Sequence, residues 1–166
     1  MTETMDHPVV IEVAAGRVAV TATLPGGVST TVIERQGTTG SKKHIPIGTR
    51  DARRLAMEVD GTQVRLRPGP GRYMRGSYRV TVIHGPVTYR FRPKSPDVSR
   101  LTRDGRRLGD FELRDDGTID VTWHDGAAAE VTAADNAVGT ALAAAFGTGA
   151  PFFLMLLLDL LGHVPD

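Results

Sequence analysis

Residues 79–92 read Arg-Val-Thr-Val-Ile-His-Gly-Pro-Val-Thr-Tyr-Arg-Phe-Arg. Two alternating runs flank the turn dipeptide Gly85-Pro86, and a period of two is typical of a strand with one buried face. Folding the stretch about this dipeptide sets Val80 opposite Phe91 and aligns the other apolar residues on the same face. The stretch therefore predicts a β-hairpin whose second face carries arginine.

The same alternation extends from residue 8 to about residue 133. Turn residues separate its runs, and the dipeptide Asp-Gly, which tolerates the positive φ angles of tight hairpins, recurs at 60–61, 104–105, 116–117 and 125–126. The turns are spaced by roughly ten residues, which gives about 10–12 short strands. We therefore predict a mainly β protein, folded as a closed antiparallel barrel.

The chain changes character after Val131, where an alanine-rich stretch begins. Asp135 is placed to cap a helix there. Residues 136–158 contain no charged residue, although the glycines and proline of 147–151 interrupt the run. We predict that the segment 135–161 is helical and fills the barrel as a buried hydrophobic plug, because a helix that is apolar all round is surrounded by protein or by lipid.

A transmembrane anchor over residues 136–162 is the alternative, since a run of this length just spans a bilayer. Three features favour burial in protein. The break at 147–151 divides the run into halves too short to span, and Asp159 would be costly in lipid. The positive charges that usually flank a membrane span are also missing, because no Lys or Arg follows Arg114.

Length and composition indicate one globular domain over residues 8–163, preceded by a short polar tail over residues 1–7. A chain of 166 residues can bury a sizeable core. The chain contains no cysteine, which excludes disulfides, thiolate catalysis and cysteine-held zinc. The tail lacks the basic and apolar regions of a secretory signal. We expect a cytoplasmic protein that works at the inner face of the membrane.

The formal net charge of +1 conceals a strong segregation of charge along the chain. Residues 1–60 carry seven basic and seven acidic residues. Residues 61–94 carry eight basic residues and no acid, whereas residues 95–166 carry five arginines against twelve acids. A basic middle section followed by an acidic end indicates two surfaces of opposite charge.

The arginines of the acid-free section are the candidate binding residues. In the predicted hairpin, Thr81 lies opposite Arg90 and Arg79 lies opposite Arg92. The second pair opposes two like charges, which is unfavourable in a sheet. Such a face suits phosphate, because the planar guanidinium pairs with it bidentately. The predicted anion-binding residues are Arg65, Arg67, Arg72, Arg75, Arg79, Arg90 and Arg92. The alternative is internal neutralisation by the acidic strands, through Asp110, Glu112, Asp115, Asp116 and Asp120.

No pattern in the chain points to catalysis. The histidines are scattered, and no two have metal-ligand spacing along the chain. The glycine-rich stretch 68–77 lacks the spacing and the strand-to-helix context of a nucleotide-binding loop. No serine lies in a nucleophile elbow. We therefore expect no metal, no cofactor and no enzymatic activity.

Three stretches together resemble strands of a known superfamily: Tyr89-Arg-Phe-Arg-Pro93, Leu101-Thr-Arg-Asp-Gly-Arg-Arg-Leu-Gly109 and Phe111-Glu-Leu113. They are similar to bacterial members of the tubby C-terminal and LURP-one-related (phospholipid scramblase-like) superfamily, over about residues 50–162. This resemblance implies a barrel of about twelve strands around a hydrophobic C-terminal helix. It also implies binding to anionic phospholipid head groups, or docking to protein, without catalysis. The tubby phosphoinositide motif is not recognisable in this chain.

Three functions remain open at this stage. The first is a non-catalytic domain that docks to anionic phospholipid, or another anionic surface, through its arginine face. The second is a protein–protein scaffold or assembly subunit with complementary basic and acidic sides. The third is a tail-anchored membrane protein. Nucleic acid is not an expected partner, because Tyr78, Tyr89 and Phe91 fall on the predicted core face and cannot stack on bases.

Overall fold

The computed structural model describes residues 8–37, 42, 45–72 and 74–150. Ten antiparallel strands lie in one sheet in chain order. They are β1 (Val9–Ala14), β2 (Arg17–Leu24), β3 (Gly27–Arg35), β4 (Leu55–Val59), β5 (Thr62–Pro68), β6 (Val80–His84), β7 (Val87–Pro93), β8 (Val98–Arg103), β9 (Arg106–Leu113) and β10 (Ile119–Trp123). The α-helix α1 (Ala133–Phe146) follows, and short 3-10 turns occur at Ala52–Arg54 and Arg75–Tyr78. The prediction of a mainly β, antiparallel protein is confirmed.

The sheet is an open half-barrel, so the prediction of a closed barrel is wrong. In the described part of the chain, β1 pairs only with β2 and β10 pairs only with β9, which leaves both as edge strands. Closure requires the first and last strands to hydrogen-bond with a matching stagger. Alternation along each strand defines which face is buried, but it carries no information on whether the two ends of the sheet meet.

The predicted hairpin about Gly85-Pro86 forms from β6 and β7, with the predicted register from Val80 to Phe91. Val80 lies opposite Phe91 and Thr81 lies opposite Arg90, across a two-residue turn in which Gly85 has a φ of 57°. The inward residues of this hairpin are buried and join one core with those of the other strands. Aromatic rings extend that core towards β10, since Phe111 contacts Phe91 edge-on at a centroid distance of 5.8 Å and contacts Trp123 of β10 edge-on at 5.7 Å.

Two of the four Asp-Gly dipeptides make the predicted tight hairpins. At 60–61 and 104–105 the aspartate has a φ of 50°, and the glycines have φ angles of 80° and 82°. Both residues therefore adopt the positive φ of a type I′ turn. The dipeptide at 116–117 lies in a longer connection between β9 and β10. The predicted hairpin at 125–126 is wrong, because these residues enter the turns that lead into α1.

The helix α1 begins at Ala133, earlier than predicted, and its N-cap is Thr132. Asp135 is the third residue of the helix, and its side chain accepts from the Thr132 N–H in a reciprocal capping box. Apart from Ala134, all residues of the helix are buried, and α1 packs against β2, β3, β9 and β10.

The predicted break after Phe146 is confirmed, since α1 ends there and Gly147 has a φ of 77°. Among the described residues, no helix is long and apolar enough to cross a membrane. The remainder of the predicted segment 135–161 lies outside the described residues, beyond residue 150. The predicted tail over residues 1–7 lies outside them as well.

Replacing Gly139 with alanine should destabilise the protein, although alanine favours helices. A Cβ at this position would overlap the Phe111 ring and press on Leu101, and overpacking of a core costs about 1–3 kcal/mol. Gly76→Ala is the matched control, because a Cβ there meets nothing within 4 Å. Urea denaturation of both variants measures the effect, and equal stability for the two would contradict this packing.

Candidate anion-binding face

A row of arginine and threonine crosses the outer face of five strands. Arg67 on β5 lies opposite Thr81, which lies opposite Arg90 on β7. Arg90 in turn lies opposite Thr102, which lies opposite Arg107 on β9. We call these five residues the arginine row. Its arginines occupy alternate strands and are exposed, so their backbones are about 10 Å apart.

Arg107 belongs to this face but was missed from the sequence. Its signal was present, because a two-residue turn at Asp104-Gly105 pairs Arg103 with Arg106 and Thr102 with Arg107. Folding the chain about this turn places Arg107 opposite Thr102, on the outer face.

Two of the other predicted arginines lie beside the row. Arg65 lies on β5 two residues before Arg67, on the same face, and Arg92 lies near the end of β7 opposite Arg100. The predicted pair Arg79–Arg92 is wrong as a cross-strand pair, because β6 begins only at Val80. The physical reason is local: residues 75–78 form a 3-10 turn, and the Arg79 N–H bonds to the Gly76 carbonyl. Tyr78, predicted as a strand residue, lies half-buried in that turn.

Arg72 and Arg75 are exposed in the connection between β5 and β6. The hydroxyl of Ser77 organises this connection, since it accepts from the Arg72 N–H at 2.8 Å and lies 2.6 Å from the Met74 carbonyl, to which it donates. Met74, between the two arginines, is 75% exposed. The connection therefore presents an apolar side chain flanked by two positive charges.

The acidic strands neutralise other basic residues. Asp110 binds Lys94 at 2.8 Å and Arg100 at 2.9 Å, and Asp120 pairs with Arg114. Within the described ranges, none of the seven predicted arginines has a carboxylate oxygen within 4.0 Å, and the same holds for Arg107. The positive charge of this face is therefore not cancelled by direct ion pairs there.

Asp110 is the most strongly paired acid of the outer face. Burial raises the pKa of its carboxyl group, but hydrogen bonds from Arg100 and Lys94, together with their charges, outweigh this and lower the pKa to about 2. A β-bulge between Leu101 and Thr102 produces the arrangement, because it sets Asp110 opposite Arg100. Without the bulge, Gly109 would occupy that place.

A polar cluster on the inner face holds the helix on the sheet, and it was not predicted. Asp135 is fully buried, and its carboxylate accepts from the Tyr89 hydroxyl at 2.7 Å and from the Thr132 N–H at 2.9 Å. Arg103 completes the cluster as an ion pair with the same carboxylate. Burial, and then the hydrogen bond to Asp135, raise the pKa of Tyr89 far above its usual value.

Arg50 occupies the other end of the helix. Its guanidinium carbon lies 5.3 Å from the ring centroid of Tyr78 and 5.4 Å from that of Phe146. Burial lowers its pKa to about 10, against the charge interaction with Tyr78 that raises it. Because Tyr78 lies near the end of the connection that carries Arg72 and Arg75, these cation–π contacts join that connection to the helix.

Metal-ligating residues do not converge in the described part of the chain, where no group of three or more His, Asp or Glu could hold a metal ion. His84 and His124 belong to that part, whereas His7, His44 and His163 lie outside it. The Nε2 atom of His124 lies 3.5 Å from the Oδ1 atom of Asp110, the carboxylate that also binds Lys94 and Arg100.

No protein-family model, curated protein or solved structure matches the chain. The resemblance to the tubby and LURP-one-related superfamily therefore stays a prediction.

Replacing Tyr89 with phenylalanine should lower the free energy of unfolding by about 1–2 kcal/mol, because the buried Asp135 loses a hydrogen-bond donor. Because the pKa of Tyr89 is raised in the folded state, its contribution to stability is complete below pH 10 and is lost as the pH rises above 10. The difference in unfolding free energy between the variant and the wild type should therefore shrink above pH 10. Tyr78→Phe is the matched control, since the Tyr78 hydroxyl is buried without a hydrogen-bond partner among the described residues. Equal losses in the two variants would contradict the role of the cluster.

Replacing Asp110 with asparagine should weaken the fold at pH 7 by roughly 1 kcal/mol, because Lys94 and Arg100 lose their carboxylate partner and solvent around the half-exposed Lys94 screens part of the interaction. A lowered pKa stabilises the folded state above about pH 4, and this contribution is lost as the pH falls towards 2. The variant should therefore lose less stability than wild type over that interval. Asp120→Asn, in an exposed pair, should change stability little. Denaturation at stepped pH values tests both variants.

Proposed function

We propose that the protein docks to anionic phospholipid membranes through the outer face of β5–β9, as a binding domain without catalysis. The residues that make contact are those predicted from the sequence together with Arg107: Arg65, Arg67, Arg72, Arg75, Arg79, Arg90, Arg92 and Arg107. The observation that carries this proposal is the arginine row, whose exposed guanidinium groups have no carboxylate within 4.0 Å in the described ranges.

The spacing of the row supports binding to an extended surface of many anions. Like charges directly opposite each other destabilise a sheet, and the row avoids this by placing Thr81 and Thr102 between successive arginines. Because the row spans four strand spacings, about 19 Å, its arginines can contact several anions at once. A membrane offers each of them a separate phosphate, and each basic residue near an anionic surface contributes about 1 kcal/mol.

Met74 supports a lipid surface over other polyanions. Its exposed side chain stands between Arg72 and Arg75, and an apolar group among cations is what enters the interface between head groups and acyl chains. Single-stranded nucleic acid would instead require aromatic rings on which bases can stack. Tyr89 and Phe91 are only 3% and 1% exposed and do not supply such a platform.

Reversing two charges of the row, with Arg67→Glu and Arg90→Glu in one chain, should reduce binding to phosphatidylserine-containing vesicles more than tenfold. Each reversal replaces attraction by repulsion at a phosphate surface. Arg53→Glu with Arg114→Glu is the matched control, because it changes the net charge equally, away from the row, at two exposed arginines in ion pairs with acids. Co-sedimentation at low and at physiological salt measures binding.

Wild-type protein should bind anionic vesicles with an affinity that falls as salt rises, and should ignore neutral phosphatidylcholine vesicles. Equal losses in the two double variants would mean that net charge alone acts, which contradicts a defined face. Protein that ignores both kinds of vesicle overturns the lipid proposal. Salt-dependent self-association in gel filtration would then favour the assembly subunit, with basic and acidic sides that pair between neighbours.

A further inference from the structure

The edge strand β1 leaves alternate backbone groups without a partner strand in the described part of the chain. The Pro8 carbonyl accepts from the Thr23 N–H at 3.0 Å, so this opposed pair is a hydrogen-bonded one. Hydrogen-bonded and non-hydrogen-bonded pairs alternate along an antiparallel ladder. The N–H and C=O groups of Val9, Ile11 and Val13 therefore point away from β2, towards the free edge.

The same three residues carry the core-facing side chains of β1. They lie opposite Ala22, Val20 and Val18 of β2, which are at most 1% exposed. Ile11 is nevertheless 37% exposed and Val13 is 64% exposed. Among the described residues, this edge thus combines backbone groups that have no partner strand with an apolar row that is partly exposed.

The two edges of the sheet differ in how they are protected against pairing. On β10, the outward residue Asp120 holds Arg114 in an ion pair, and charges of this kind discourage a further strand. On β1, Glu12 is the single charge between Val9 and Ala14. It lies on the opposite face from the apolar row, so it does not protect that row.

We propose that β1 pairs antiparallel with β1 of a second copy of this chain, in a register centred on Ile11. Because the free backbone groups belong to alternate residues, only registers that oppose those residues can form hydrogen bonds. Centring on Ile11 uses all three of them and sets Val9 opposite Val13. On the other face, Val10 meets Glu12, so no like charges are opposed.

This contact is isologous, with the same strand on both sides of a twofold axis. The axis of such an antiparallel pair is perpendicular to the sheet, so the outer faces of the two copies lie on the same side. The interface is small for a stable dimer, and we expect it to be concentration-dependent. It depends on backbone pairing and apolar contact, so added salt should not weaken it, unlike association through the basic and acidic sides. Pairing at β1 does not require the proposed lipid binding.

Sedimentation velocity of the full chain over a wide concentration range tests the proposal. Wild type should shift from monomer to dimer, and Ile11→Lys and Ile11→Glu should each remain monomeric, because the twofold axis opposes their like charges. An equimolar mixture of the two variants should restore a dimer, which only a register opposing Ile11 to Ile11 explains. Val28→Lys is the control, because Val28 is 63% exposed on the outer face of β3, away from the β1 edge. This variant should dimerise as the wild type does.

Single cysteines provide a second test that does not depend on a charge in the apolar row. The chain has no cysteine of its own. Hydrogen-bonded opposed residues have Cα atoms about 5.5 Å apart, which is within reach of a disulfide. Ile11→Cys should therefore form covalent dimers on oxidation and Val28→Cys should not. A wild-type protein that stays monomeric at every concentration overturns the proposal, as does a dimer that cross-links at position 28 but not at position 11.

Discussion

The remaining structure depends on the ion pair and hydrogen bonds that the buried carboxylate of Asp135 makes. A charge removed from water costs several kcal/mol unless it is paired and hydrogen-bonded, and here three partners converge on it. Thr132 belongs to the start of the helix, whereas Tyr89 and Arg103 come from β7 and β8. Helix and sheet can satisfy this group only in one relative position. The position of the helix, and with it the packing of the core, follows from that requirement.

The two faces of the sheet handle charge in opposite ways. On the inner face, Arg103 forms an ion pair with Asp135 of the helix, and the Asp135 side chain is fully buried. On the outer face, acids such as Asp110 bind Lys94 and Arg100, while the arginine row remains without direct acid partners in the described ranges. Since side chains of a strand alternate between faces, the charges of the outer face can change without changing the core that supports it.

An open sheet has consequences that a closed barrel lacks. A barrel has no edge strands, whereas the sheet of the described residues has two, and of these β10 carries an ion pair that protects its edge. Pairing at β1 would remove one edge and set two outer faces side by side on one surface. Two weak faces joined in this way bind a membrane more tightly than either alone, because the second contact becomes intramolecular. The edge and the arginine face would then act together.

The sequence by itself determined the features that depend on neighbouring residues. The hairpin at residues 79–92, the tight turns at 60–61 and 104–105 and the end of the helix at Gly147 follow from alternation and from the φ angles that glycine and aspartate tolerate. Only the tertiary structure decided that the barrel stays open, that a bulge sets Asp110 opposite Arg100 and that Asp135 bonds to the sheet. These depend on contacts between residues far apart in the chain, and local pattern does not encode which distant partners meet.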